Sequence, residues 1–438
     1  MGFSTVEEAF AYIEGFTNFE RITPQIVRDF KSSRMEELLE LMGNPHEAFT
    51  SIHIAGSKGK GLTAAFLASV LTTAGIPTGL YTSPHVVTYR ERISRGGEFF
   101  PDSVYIEAID KLEAAVESRN SPFLKGEYEP TTFELLTVLA FTIFKETGLT
   151  WAVVETGIGG RLDATNIINP AFCVLTPVEL EHTDILGDTI EKIASEKAGI
   201  IKPGVPAFSA VQSPPVERIF RETARSKGAP LTFLDEETES FDLAGGMKHL
   251  SLRWKDGGTL EAELAMFGRH QAENAALAAL ALRRLLPGTE PSFAAGLSAA
   301  HAPGRMEIRE GIIPFVFDGA HTPASVKVLV RGLEELYPGI EKTGILIFGS
   351  VKGKDAEGMA RILGPRFREI IISTPGTFKP SDPDLVRAAF DPCNTRVRLI
   401  ADPAEALEYA RSRAEATGGP VCVTGSFYMV AEILKRVD

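Results

Sequence analysis

Lys60 lies in SIHIAGSKGKGLTAAFLASVL, residues 51–71, surrounded by Gly56, Gly59 and Gly61, with Ser57 and Lys58 between the first two. This combination suits a phosphate. Amide N–H groups of a glycine loop can turn toward one anion, a following helix adds partial positive charge, and a lysine reaches the outer phosphates as a point charge. The match to the usual phosphate-loop spacing is incomplete: Ile54 stands where the first glycine is expected, and Gly61 replaces the Ser or Thr after the lysine. A Lys-rich turn is the competing reading. The order strand (51–55), glycine loop, helix (63–71) favours phosphate.

Three further side chains of metal-binding type follow apolar strand patterns. Ser83 comes after 78–82, Glu155 closes Trp151–Glu155, and His182 stands just past 172–176. In open parallel sheets ligands bind at the carboxyl ends of strands, so these three could converge on one Mg²⁺, which keeps its waters and needs few protein ligands. Singly, each also reads as a turn residue, a solvated strand end and a structural histidine. Lys197 follows the helical pattern 190–194 and by itself is an ordinary helix lysine. The glycine-rich run 156–166 has neither helix nor strand period and could be a functional loop or a plain connector. His270 and Asn274 lie one turn apart on an Ala-rich helix, 268–286, where both could be solvated.

The chain that must position these groups has 438 residues, 44% of them hydrophobic and 24% charged, which predicts a globular protein of two domains. A formal charge of −13 speaks against a nucleic-acid surface, and no apolar run is long enough to span a bilayer. The acidic, amphipathic N-terminus is unlike a secretory signal. Cys173, Cys393 and Cys422 are far apart, without CxxC spacing, which fits reduced cytoplasmic thiols used in packing.

Helical patterns at 35–42, 107–116 and 132–145 alternate with the strands of the first domain. Residues 207–265 carry short β patterns, with a hairpin turn at Lys255-Asp-Gly-Gly, and read as an accessory sheet. Pro and Gly break up 287–303, which places a boundary near its end. Strands at 315–318, 345–348, 370–373 and 421–424 then alternate with helices in a second domain. The expected fold is α/β: an N-terminal parallel-sheet domain with a small accessory β-sheet, residues 1–300, and a smaller C-terminal α/β domain, residues 301–438.

Nine stretches in order extend over nearly the whole chain: HIAGSKGKG, LYTSPH with RERI, TTFELLT, VVETGIGGRLDATN, LEHTDILGDTIEKIASEKAGIIKPGVP, GRHQAENA, APGRMEI, VFDGAHTP and VTGSFYMV. Together they resemble the folylpolyglutamate synthase and dihydrofolate synthase family of Mur-type ATP-dependent amide ligases. The resemblance implies a P-loop-like ATPase domain followed by a Rossmann-like domain, with the active site between them. It implies ATP on the loop Gly56, Ser57, Lys58, Gly59, Lys60 and Gly61, and Mg²⁺ at Ser83, Glu155 and His182.

By the same resemblance Lys197 matches a lysine carried as a carbamate, which would let it hold a second metal. Asn274 matches a position near the adenine, Arg305 and Asp318 match ATP contacts from the second domain, and His321 matches a residue close to the phosphates and the incoming amino acid. Lys60, Glu155, His182, Lys197 and His321 are thus the expected catalytic set. Thr131, Phe133, Asp163 and Ala164 match a pterin site, although Phe133 also reads as a core aromatic, and Ser426 and Tyr428 match the amino-acid side. The implied reaction joins L-glutamate to dihydropteroate or a reduced folate, in a cytoplasmic monomer without nucleic-acid or membrane partners. A Mur-type ligase for another acid and amino acid and a P-loop NTPase are the alternatives. The chain departs from the family at Ser57, Lys58, Leu62 and Thr322. Leu62 removes a hydroxyl that Thr63 could replace if the helix start shifts, and Thr322 stands where asparagine is usual.

Overall fold

The computed structural model describes residues 2–18, 32–118, 129–244, 248–266, 268–376, 379–393 and 396–437. β1 (Thr50–Ala55) is the central strand of a seven-stranded sheet with β2 (Thr78–Tyr81), β3 (Ile93–Arg95), β4 (Trp151–Glu155), β5 (Phe172–Leu175), β6 (Ala207–Ser209) and β7 (Leu231–Phe233), in the order β3-β2-β4-β1-β5-β6-β7. Only β3 runs antiparallel. Strands covered on both faces read as continuous apolar runs, and β5 does, as does β4 up to Glu155. β1 departs from that rule by burying Ser51 and His53.

The helix Lys60–Thr73 is buried from Leu62 to Leu71. It is covered by the Ala-rich helix Arg269–Leu285 and by Phe293–Ala299. A Cβ on Gly296 would come 2.6 Å from the Val70 Cα, so only glycine allows these two backbones to lie so close. The opposite face of the sheet carries Asp102–Val116 and Thr132–Glu146, whose apolar sides share a core with Tyr81, Ala152 and Val154.

The accessory sheet is smaller than its sequence suggests. Its strands are β8 (Thr238–Ala244), β9 (His249–Trp254) and β10 (Thr259–Glu263), with the expected hairpin between the last two. β6 and β7 instead extend the main sheet, and Pro214–Ser226 between them is helical. Short strands carry the same local pattern in either sheet, so periodicity does not assign them.

The remaining strands are β11 (Glu307–Arg309), β12 (Phe315–Phe317), β13 (Ile345–Phe348), β14 (Glu369–Ile372), β15 (Arg396–Leu399) and β16 (Val421–Thr424), in the order β11-β12-β16-β13-β14-β15. The sheet is parallel except for β11. Helices Pro323–Leu336, Ala356–Leu363 and Pro383–Phe390 cover one face, and Pro403–Thr417 and Phe427–Val437 the other. β11 and β15 were not anticipated from sequence; both alternate or mix polar with apolar residues at a sheet edge. No helix among the described residues is long and apolar enough to cross a membrane.

Candidate active site

The glycine loop is gripped from two sides. Gly56 has φ +154, and a Cβ there would lie 1.8 Å from the Thr176 Oγ1 beyond β5; Gly59 has φ +84, and a Cβ there would lie 2.4 Å from the Asn274 Oδ1. Any side chain at either position would push the loop off its supports. Gly59 caps the helix, so the amides of Lys60, Gly61 and Leu62 head it without intrahelical acceptors and form the anion-attracting end.

The earlier half of the loop is not free in this way. The Ser57 and Lys58 amides both donate to the Pro177 carbonyl, at 2.9 and 3.2 Å, and the Ser57 hydroxyl donates to the Glu179 carbonyl at 3.0 Å. Leu62 is part of the hydrophobic core. Thr63 is buried with an unpartnered hydroxyl, and the helix start has not shifted to bring it forward.

At the end of β4, Glu155 is buried. Its Oε1 lies 4.0 Å from the Lys60 Nζ, and its Oε2 accepts the Ser83 amide N–H at 3.0 Å. A Cβ on Gly61 would stand 3.0 Å from that same Oε2, so the missing Ser or Thr side chain is what leaves room for the carboxylate. Burial raises the Glu155 pKa, against the pull of Lys60, the Ser83 N–H and Arg305.

Lys197 is buried, and its Nζ donates to the Gly56 carbonyl at 2.7 Å and to Glu181 Oε1 at 2.8 Å. Burial and the nearby Lys60 charge lower its pKa to about 8, although Glu181 opposes them. Burial acts against ionised Glu181, but the Lys197 and Lys60 charges outweigh it and hold the carboxyl low. His182, in a left-handed conformation (φ 46), has its pKa lowered by burial despite Glu181 beside it. Its imidazole is therefore neutral and able to ligate. Among the described residues no three His, Cys, Asp or Glu side chains form a ready metal cluster.

The second sheet contributes a facing wall. Asp318 follows β12 and accepts N–H groups from Met306 at 3.0 Å and Ala320 at 2.9 Å; burial nonetheless lifts its pKa to about 6. Arg305 lies over the Phe427 ring, 4.7 Å from its centroid. The His321 Nδ1 is 2.8 Å from the Gly319 carbonyl. Burial lowers the His321 pKa despite that carbonyl, and Lys354, Lys58 and Arg305 add to the lowering. Thr322 accepts the Ser325 N–H at 3.2 Å as a helix cap, so its hydroxyl is already engaged. Ser426 is also a capping residue, donating to the Gly349 carbonyl at 2.8 Å and accepting the Met429 N–H at 3.1 Å. Tyr428 is partly buried, with the Lys379 Nζ 5.9 Å from its ring centroid.

The four residues expected around a pterin do not present equal surfaces. Phe133 is half-buried, and its ring tip occupies the space a Gly157 Cβ would need, 2.7 Å away. Thr131 caps the helix Thr132–Glu146 in a reciprocal bond with Glu134. Ala164 is in the core. Asp163 accepts the N–H groups of Gly157, Ile158 and Thr165 and the Thr165 hydroxyl, so its carboxylate organises the loop from within.

Sequence reasoning missed Glu181, the ion partner of Lys197, although it sits next to His182. Lys354 was missed too; a lysine in a loop carries no local mark of what it faces.

Two Mur ligase family models match the chain: the Mur ligase middle domain over residues 54–282 and the Mur ligase glutamate ligase domain over residues 304–427. Dihydrofolate synthase/folylpolyglutamate synthase of Bacillus subtilis is 30% identical over 446 aligned residues, 99% of this chain and 100% of that protein. Apo FPGS of L. casei has a TM-score of 0.84 at 29% identity, covering 99% of both chains. An FPGS–AMPPCP–folate complex matches with a TM-score of 0.79 at 28% identity, also over 99% of both chains. The chain belongs to the folylpolyglutamate synthase/dihydrofolate synthase family of Mur ligases.

Proposed function

We propose that the protein is an ATP-dependent amide ligase that joins L-glutamate to dihydropteroate, to reduced folates or to both. The observation that carries this reading is the placement of Lys60, Glu155 and the helix N-terminus opposite Arg305 and His321 from the second sheet. An NTPase does not need such a second wall. The relative from B. subtilis bears both activities in its name. On this reading residues 1–300 form the ATP-binding domain and residues 301–438 the glutamate-ligase domain.

The carboxylate of the acid attacks the γ-phosphorus of ATP, ADP leaves, and the resulting acyl phosphate is captured by the amine of glutamate with loss of phosphate. Lys60 and the first-turn amides attract the phosphates and stabilise the charge that develops on the transferring group. Arg305 closes over the nucleotide with Asp318, while Asn274 braces Gly59. His321, neutral at physiological pH, lies beside the phosphates and is placed to accept a proton from the incoming amine. No protein nucleophile is required; orientation of three substrates and exclusion of water supply much of the acceleration.

The residues fit Mg²⁺, because Glu155 keeps an oxygen without a backbone donor and His182 is held neutral; these two, with Ser83, would hold it. When bound, Mg²⁺ screens the repulsion between ATP and the attacking carboxylate. Carbamylation of Lys197 belongs to the same reading: the lowered amine pKa supplies the neutral form that adds CO₂ and releases a proton to solvent, and Glu181 must then turn away from the new anion. Ser426 and Tyr428 border the amino-acid side, and Phe133, Thr131, Asp163 and Ala164 the acid side. The acidic charge and the free thiols support a cytoplasmic protein, and we take the working unit to be a monomer.

The test is phosphate release from MgATP with L-glutamate and either dihydropteroate or tetrahydrofolate, with the products weighed by mass spectrometry. Release that needs both acid and glutamate, with a product one glutamate heavier, is expected. Release independent of both would sink the ligase reading.

A further inference from the structure

β1 carries a histidine at its centre. His53 is buried, on the strand that leads into the phosphate loop, but its side chain lies on the face of the sheet away from the Lys60 helix, opposite Cys173 in the strand register. Its Nε2 is 2.8 Å from the Thr165 Oγ1, and its Nδ1 is buried with no partner. Thr165 Oγ1 in turn lies 2.6 Å from Asp163 Oδ1.

The direction of this chain follows from counting protons. Burial raises the Asp163 pKa, but the donors around it oppose that and suit the ionised form: its Oδ2 receives the Gly157 N–H at 2.9 Å and the Ile158 N–H at 3.1 Å, and its Oδ1 also receives the Thr165 N–H at 3.0 Å. A carboxylate can only accept, so the single Thr165 hydroxyl proton is donated to Oδ1. Thr165 Oγ1 must then accept from His53, which requires the Nε2–H tautomer and leaves Nδ1 bare. The bare Nδ1 is the ring nitrogen found without a partner.

The far end of the chain is the turn at Gly157 and Ile158, which begins two residues after Glu155. Gly157 lies against the tip of the Phe133 ring, with no room for a Cβ. The loop's middle is fastened separately: the Arg161 amide donates to the Glu196 carbonyl at 2.8 Å, beside Lys197. His53 therefore bears, through Thr165 and Asp163, on the backbone that follows Glu155 and meets the Phe133 ring.

We propose that His53 is a positioning residue for the acid substrate: as a neutral Nε2–H donor it fixes the Thr165 hydroxyl, which fixes Asp163, which sets the Gly157–Ile158 backbone against Phe133. This rests on the reading above that Phe133 borders the site for the pteridine-bearing acid. The Lys60 helix, whose first turn would receive the phosphates of ATP, packs against Ile52 and Ile54 on the opposite face of β1, so ATP binding is expected to be unaffected.

The test compares His53→Gln, His53→Leu and Thr165→Val with wild type, and adds Phe133→Ala as an independent probe of the acid site. Glutamine can place an N–H donor near the position of Nε2; leucine cannot, and Thr165→Val breaks the chain without touching β1. Hydrogen exchange of the 156–166 segment, read by mass spectrometry, should quicken in His53→Leu and Thr165→Val and stay near wild type in His53→Gln. In the same order, KM for the acid should rise about tenfold, as expected for a lost buried hydrogen bond, while the Kd for ATP stays unchanged. Equal behaviour of the Gln and Leu variants, or unaltered loop exchange in Thr165→Val, overturns the proposal. So does a normal acid KM in His53→Leu when Phe133→Ala raises it. If Phe133→Ala leaves KM unchanged while His53→Leu and Thr165→Val raise it, the Phe133 assignment fails and the positioning role stands.

Discussion

Glu155 and Asp318 make an instructive pair. Each is a carboxylate at the carboxyl end of a strand within its own sheet, and burial raises the pKa of both. Their partners differ. Asp318 has a backbone N–H on each oxygen, joining 306 to 320 at the carboxyl end of β12. Glu155 has one N–H on Oε2, while its Oε1 faces Lys60 at 4.0 Å, beyond a close hydrogen bond. One carboxylate has a backbone donor on each oxygen and the other keeps an oxygen without one, so similar strand-end positions are tied into the fold to different degrees.

The sharpest way to break this comparison is to remove the charges by the phosphate loop. Glu155→Gln should lower kcat by about 10³-fold, at the upper end for loss of one electrostatic contact, and leave Tm unchanged or higher because a buried, half-paired charge is gone. A large fall in Tm with modest loss of turnover would make Glu155 the structural carboxylate instead. Lys60→Ala should lower kcat by about 10²-fold. Phosphate release under saturating ATP measures it, and a loss confined to KM for ATP would remove Lys60 from the transition state.

Asp318→Ala should behave in the opposite manner, costing about 2 kcal/mol of stability because the Met306 and Ala320 amides lose their acceptor. Urea unfolding reads that loss, and an undiminished midpoint would contradict the architectural role. The same carboxylate predicts a pH dependence. Its folded pKa of about 6 lies above the ordinary 3.8, so between these values the folded state binds more protons, and this group's contribution to stability falls as pH rises through the window. Asp318→Asn should remove that part of the slope in unfolding measured from pH 4 to pH 7; identical slopes would count against it. The smallest effect is expected at the cap: Thr322→Ala should cost about 1 kcal/mol, and Thr322→Asn, which restores a capping side chain, much less.

Much of the first sheet was legible because its strands are short apolar runs bounded by glycine and polar loops, and so was the order of strand, glycine loop and helix around Lys60, because glycines interrupt both periods there. The extent of the accessory sheet was not. β6 and β7 have the local pattern of any short strand, and only pairing with β5 placed them in the main sheet. Binding of the Ser57 and Lys58 amides by Pro177 could not be read either, since a backbone acceptor leaves no mark in residue type. The same holds for Thr131 and Ser426, whose hydroxyls are drawn into helix caps.

By itself the sequence determined which segments are strands and helices over most of the chain, which residue types stand at the strand ends and in the glycine loop, and the family to which their order belongs. These are properties of local periodicity and residue type. Tertiary structure decided which groups face one another: Asn274 against Gly59, Glu181 on Lys197, and His53 joined to Asp163 through Thr165. Such pairs are set by strand order, register and close approach between segments far apart in the chain. No local pattern encodes them, because their energies arise only when the sheets have formed and water has been excluded.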